Sequence, residues 1–226
     1  MTSAKITSSE KSKNSGGDNK FQTLAWILVQ SLCHGIIFAI VFSIIWYSFV
    51  DYELFSFHPT CFSIGYFLFI TEGFLIFLPN SVVTRNLKRQ TIVKIHIALQ
   101  TLGFAFIVSG FVIIIVHKFN KGYSHFVTPH SITGLVAVIL TALSTLGGIT
   151  TRLKVPNLAR IKLGHNFIGL LAYGVAIAAM CMGVWAELRE VIKEEWCIVI
   201  IVLTCVVAAV ALANALFSFI RRVKNL

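Results

Sequence analysis

Four histidines, His58, His96, His130 and His165, recur at intervals of 38, 34 and 35 residues, each at the start of a hydrophobic segment. Imidazole is a metal ligand and also a costly group within a membrane, so four of them at matching depths point to a held metal. Consecutive spanning segments run antiparallel. The histidines of the second and fourth segments therefore share one face, and those of the third and fifth share the other. This pairs His58 with His130 and His96 with His165, and two haems held across a membrane would account for both pairs. Pro59 and Pro129 stand beside His58 and His130, where proline favours a first helical turn.

A porphyrin needs room between helices that otherwise pack about 8 to 10 Å apart. Residues at i+4, i+7, i+11, i+14 and i+18 share a helix face with i. On the His58 face lie Gly65 and Glu72, and on the His96 face Gly103 and Gly110. Below His130 come Gly134, Ala137, Thr141, Ser144 and Gly148, and below His165 Gly169, Ala172, Ala176, Ala179 and Gly183. The same stripes also suit ordinary close packing of membrane helices. An iron held by two imidazoles has no open axial position, which leaves electron transfer rather than oxygen chemistry. Helix rise of 1.5 Å per residue across a core of roughly 30 Å would put two such irons on the order of 20 Å apart.

The elements that must position these residues are membrane helices. The chain has 226 residues, 57% hydrophobic and 12% charged, with mean hydropathy +0.84. That composition excludes a water-soluble domain. Six apolar runs of spanning length fall at about 24–50, 58–78, 95–116, 129–149, 165–186 and 196–220. The expected fold is an all-α integral membrane protein with helices two to five as a four-helix core. Around a transmembrane domain over 23–220, a disordered tail is expected at 1–22 and a basic tail at 221–226. The first span is long for a cleaved leader and reads as a retained signal anchor. Fifteen of the 19 basic residues fall on the side of the N-terminus, which places both termini in the cytoplasm. The net charge of +10 is accounted for by this topology, and a nucleic-acid partner is not expected. The five cysteines form no C-x-x-C or C-x-x-C-H, which excludes zinc ribbons and covalently attached haem; Cys61 and Cys197 could pair, though inert thiols fit better.

Segments LFSFHPTCFSIGYFLFITEGFLIF, VKIHIALQ, HFVTPHSITGLVAV and LGHNFIGLLAYG resemble the cytochrome b561 family of two-haem transmembrane reductases, most closely its domain-containing protein 2 branch. The resemblance covers nearly all of 24–220. It implies two b haems ligated by His58 with His130 and by His96 with His165. It also implies one-electron transfer from cytoplasmic ascorbate to monodehydroascorbate radical or ferric iron on the other face. Where vesicle and plant members carry an arginine in an ALLVYRVFR-like stretch, this chain has FLIFLPNSV, and their SLHSW appears as VTPHSI.

Ascorbate is an anion, so Arg89, Lys94, Arg160 and Lys162 are candidates for the donor site; positive-inside topology would explain them equally well. Glu72, the one acid well inside a span, could orient a ligand imidazole, manage a proton, or serve as a neutral structural hydrogen-bonding group. His117 and His125, in or beside the third non-cytoplasmic loop, could receive the acceptor or simply be solvated. His34 reads as a hydrogen-bonded packing residue. A metal or proton transporter and a non-catalytic haem-binding membrane protein are the rival functions. The terminal RRVKNL resembles a retrieval signal and favours endoplasmic reticulum or vesicle membranes over the plasma membrane. The bundle could also form a homodimer in the lipid.

Overall fold

Long apolar stretches in lipid must satisfy every backbone group internally, and the chain does so with helices alone. The computed structural model describes residues 21–224 apart from Asn80 and Lys154. All but two residues of the expected 1–22 tail lie outside them, as do the last two of the basic tail. The six spanning helices are α1 (Phe21–Ser48), α2 (Leu54–Leu75), α3 (Arg89–Lys121), α4 (Pro129–Thr150), α5 (Leu158–Glu190) and α6 (Glu194–Val223). The chain is thus an all-α, six-span membrane protein.

Local chemistry sets the helix ends that matter most. Thr128 caps α4 by accepting from the Ser131 N–H, the Ser131 hydroxyl accepts from the Thr128 N–H, and Pro129 opens the first turn. The VTPHSI segment is therefore a capping box, and it puts His130 in the first turn. Gly122, at φ +70°, ends α3 in a left-handed turn. At their other ends α3 and α5 begin earlier than the apolar runs suggest. His96 and His165 each stand seven residues inside their helices, because the basic leads from Arg89 and Leu158 are helical as well. Likewise α6 runs to Val223, taking Arg221 and Arg222 out of the expected tail and into its last turn.

The core is two helical hairpins, α2 with α3 and α4 with α5, each close-packed internally and much less closely packed against the other. Within the first hairpin Gly65 and Gly103 let the backbones meet. A methyl group on Gly65 would come 2.8 Å from Ile107 Cγ1 and 2.9 Å from the Gly103 carbonyl oxygen. Between the hairpins, the buried Tyr66 hydroxyl of α2 meets Thr141 Oγ1 of α4 at 3.0 Å, and Thr71 Oγ1 of α2 meets the Tyr173 hydroxyl of α5 at 2.8 Å. Helices α1 and α6 pack outside this unit. The buried Gln30 of α1 donates to the Pro79 carbonyl and accepts from the Val82 N–H, holding the α2–α3 loop under the bundle.

Much of the small-residue pattern thus serves packing within hairpins. Gly65 and Gly103 face each other, and Gly169 faces Ser144, whereas Gly134 opens on free space. Gly65→Ala is expected to destabilise the protein by about 1–3 kcal/mol, since neither backbone can yield. Gly35→Ala, with nothing within 4 Å of the added methyl, should be neutral or gain up to about 1 kcal/mol. Thermal unfolding of both variants in the same detergent checks the contrast.

Candidate functional site

Imidazole has two ring nitrogens, and the partner of one decides what the other can do. In all four histidines Nδ1 points at a backbone carbonyl on the other helix of its hairpin. His58 reaches Gly110 at 3.3 Å and His96 reaches Gly73 at 3.0 Å. His130 reaches Ala179 at 2.9 Å and His165 reaches Ser144 at 2.8 Å. A carbonyl can only accept, so each Nδ1 carries the proton and each Nε2 keeps its lone pair. Four imidazoles in one tautomer, oriented by an outer partner, are a ligand set in the form metal centres require.

The rings meet across the hairpins. His58 and His130 have centroids 6.2 Å apart with planes at 86°, and His96 and His165 are 6.5 Å apart at 79°. A metal–imidazole bond of about 2 Å, plus roughly 1 Å from nitrogen to ring centre on each side, places two opposed centroids about 6 Å apart. The separations therefore fit one iron between each pair. Glycines cradle the rings: a methyl group on Gly183 would come 2.9 Å from His130 Cε1, and one on Gly148 3.1 Å from His165 Cε1. The donor set and its surroundings fit a six-coordinate haem iron at each end.

The register that makes this possible recurs. The accepting carbonyl lies 14 residues after the histidine of its own helix in α3, α4 and α5: Gly110 after His96, Ser144 after His130, and Ala179 after His165. Fourteen residues are close to four turns and about 21 Å, so each helix offers a ligand in one layer and a carbonyl in the other. In α2 the interval from His58 to Gly73 is 15. Residues Ser63–Ile70 of α2 are a π-helix, which takes up extra residue per turn and brings the carbonyl back into line.

The remaining candidates scatter. Arg89 lies over the Phe77 ring at 4.5 Å, and Phe77 packs 5.1 Å from His96. Lys94, Arg160 and Lys162 are exposed and make no ion pair among the described residues. Arg89 and Arg152 lie within electrostatic range of His96, and Arg222 within that of His165. Arg152 and Arg222 were not candidates, because nothing in linear spacing brings a loop or a distant helix end to a histidine. At the other end, His117 is buried within α3 rather than in a loop, 5.6 Å from Phe55, which in turn is 5.7 Å from His58. His125 does lie in the loop, with its Nδ1 buried and unpartnered. Glu72 bonds His34 of α1 at 2.7 Å. Of the roles open to Glu72, the contact with a ligand imidazole falls to the neighbouring Gly73 carbonyl. All five cysteines are free, and Cys61 and Cys197 are not bridged.

A model of the eukaryotic cytochrome b561 family matches residues 57–189. The chain is 33% identical over 140 residues to the mouse (Mus musculus) transmembrane reductase CYB561D2, covering 59% of this chain and 62% of that one. It is 28% identical over 168 residues to the Xenopus tropicalis plasma membrane ascorbate-dependent reductase CYBRD1, covering 71% and 59% respectively. With the Arabidopsis thaliana transmembrane ascorbate ferrireductase 2 it shares 28% identity over 137 residues, covering 58% and 57%. The matched region thus spans about three-fifths of these relatives.

Two near-perpendicular imidazoles would donate into different d orbitals of an iron held between them, leaving those orbitals nearly equal in energy. Haem-loaded protein is therefore expected to give strongly anisotropic low-spin electron paramagnetic resonance signals. Gly183→Val should displace His130 and abolish one low-spin signal while keeping the other, and a variant with both signals intact would place the iron elsewhere.

Proposed function

The chain belongs to the eukaryotic cytochrome b561 family, and we propose that it is a transmembrane reductase carrying single electrons from cytoplasmic ascorbate to an acceptor across the membrane. The observation that carries this reading is the two facing imidazole pairs at opposite ends of one four-helix unit. Haem b, the family's cofactor, would supply at each pair a one-electron iron couple with both axial positions filled. His58 with His130 and His96 with His165 would hold one haem each, two per chain.

The protein's own residues supply the rest. The Nδ1–carbonyl bonds hold each imidazole in the tautomer that presents Nε2, and the carbonyl partner raises the basicity of the ring. The glycines at Gly183 and Gly148 leave the rings free to face each other. Apolar spans keep water from the path between the layers, so an electron can cross without a moving part. The excess of basic residues supports the His96/His165 end as the cytoplasmic one. There Arg89, Arg152 and Arg222 provide fixed positive charge for an anionic donor, and Lys94, Arg160 and Lys162 extend that field. Arg89 brings a guanidinium over Phe77, within the FLIFLPNSV stretch where vesicle-type members carry an arginine. The ascorbate dependence named for the Xenopus and Arabidopsis relatives supports the same donor. At the other end His117, His125 and Lys118 are the groups available to an acceptor, monodehydroascorbate radical or ferric iron, reduced by outer-sphere transfer.

Purified protein is expected to contain two low-spin b haems that ascorbate reduces at least in part, and His58→Ala should remove one of them. Protein without haem would sink this reading. Replacing both Arg89 and Arg152 with Gln should raise the ascorbate needed for half-reduction about tenfold, at about 0.7 kcal/mol per charge. An unchanged titration would move the donor site away from these residues.

A further inference from the structure

Among the described residues, the His34–Glu72 pair is the partly buried acid–base contact of the spans that the electron path does not use. It joins α1 to α2 with Nδ1 and Oε1 2.7 Å apart, and the two side chains are only 20% and 15% exposed. An ionisable pair in this setting is costly, so its retention needs a function or a tightly satisfied structural role. Its position favours the former. Glu72 immediately precedes Gly73, whose carbonyl accepts from His96 Nδ1, so the pair stands one residue from the outer partner of a ligand imidazole. It also has a polar approach. Gln30 lies one turn before His34 on α1 and is bonded to the loop at Pro79 and Val82, so polar groups lead from the loop at the His96/His165 end to His34 and on to Glu72.

We propose that the His34–Glu72 pair binds one proton when the centre held by His96 and His165 gains an electron, and releases it when that electron leaves. The inference rests on the reductase reading above. The pair has two states, a carboxylate beside neutral imidazole with net charge −1 and a form with one shared proton and net charge zero. A carboxylate charge behind His96 opposes the arrival of an electron in a medium of low dielectric constant, and a proton on the pair removes that opposition. The balance closes with the proposed donor. Ascorbate monoanion loses one electron and one proton to become its radical anion; the electron goes to the His96/His165 centre and one proton enters the pair from the same face. When the electron moves on to the His58/His130 centre, the proton returns to that face.

Few other groups could carry this proton. Facing the pair are Cys33 from α1 and Tyr173 from α5, the latter bonded to Thr71, with His96 behind the Gly73 carbonyl on α3. Arg89 and Arg152, which act on His96, stay cationic throughout. Helix α6 carries no ionisable side chain between Cys205 and Arg221, and α4 none but His130.

The test is a mediated redox titration of the intact two-haem protein from about pH 5.5 to 8.5, with each centre followed by its visible spectrum and assigned through His58→Ala. Because mediators supply the electrons, the identity of the donor does not enter. In wild type the reduction constant of the His96/His165 centre should fall toward tenfold per pH unit, about 59 mV, while the other centre stays nearly flat. Glu72→Gln, which keeps the shape and an acceptor oxygen, should flatten the first dependence. It should also remove the bands of the pair, carboxyl and imidazole, that change in the reduced-minus-oxidised infrared difference spectrum. His34→Gln should shift the dependence to a different pH range, and it decides the matter alone if Glu72→Gln loses its haems. A flat His96/His165 wave in wild type, or one as steep over the same pH range in both variants as in wild type, overturns the proposal and leaves the reductase reading standing. Absence of both haem waves overturns the two together.

Discussion

The hydrogen bond from each histidine Nδ1 to a carbonyl of the neighbouring helix is the constraint on which the architecture turns. It decides the tautomer, aims Nε2 into the space between hairpins, and ties the two helices of each hairpin at both ends. Helical carbonyls normally accept from within their own helix, so a second donor uses the remaining lone pair and needs the helices close together. The Gly65–Gly103 approach provides that closeness in the first hairpin, and in the second Gly148 and Gly183 give the imidazoles room to lie against the partner backbone.

Register then becomes unforgiving. A ligand and a carbonyl on one helix must both face inward about four turns apart, and 14 residues achieve this in α3, α4 and α5. The extra residue of α2 would turn Gly73 away by roughly 100°. The π-helical stretch Ser63–Ile70 absorbs it, in the same helix that carries Tyr66 and Thr71 to the second hairpin. A local irregularity in α2 is thus what lets four helices present one repeated geometry.

Charge is distributed in keeping with that geometry. Arginines at helix ends and in a loop lie within electrostatic range of His96 and His165, and Lys118 and His117 lie within that of His58. Glu72 is the single carboxylate placed well within the spans, and α1 supplies its partner. The outer helix therefore supplies the hydrogen-bond partner of that carboxylate, beyond covering apolar surface.

The sequence by itself determined the number of spans and which histidines face each other. In a membrane each span can run only up or down, so alternation along the chain settles which face a residue reaches. The 14-residue spacing of small residues and carbonyls was also present in the sequence, but periodicity names a helix face without naming its neighbour. Only the tertiary structure showed that Gly65 and Gly103 meet each other, that Glu72 turns to His34, and that Arg152 and Arg222 come within electrostatic range of His96 and His165. It also set the true starts of α3 and α5, since basic residues are good helix formers and continue the helix beyond the apolar run. Each of these depends on how helices rotate and tilt against one another, and those angles are set by packing between segments far apart in the chain.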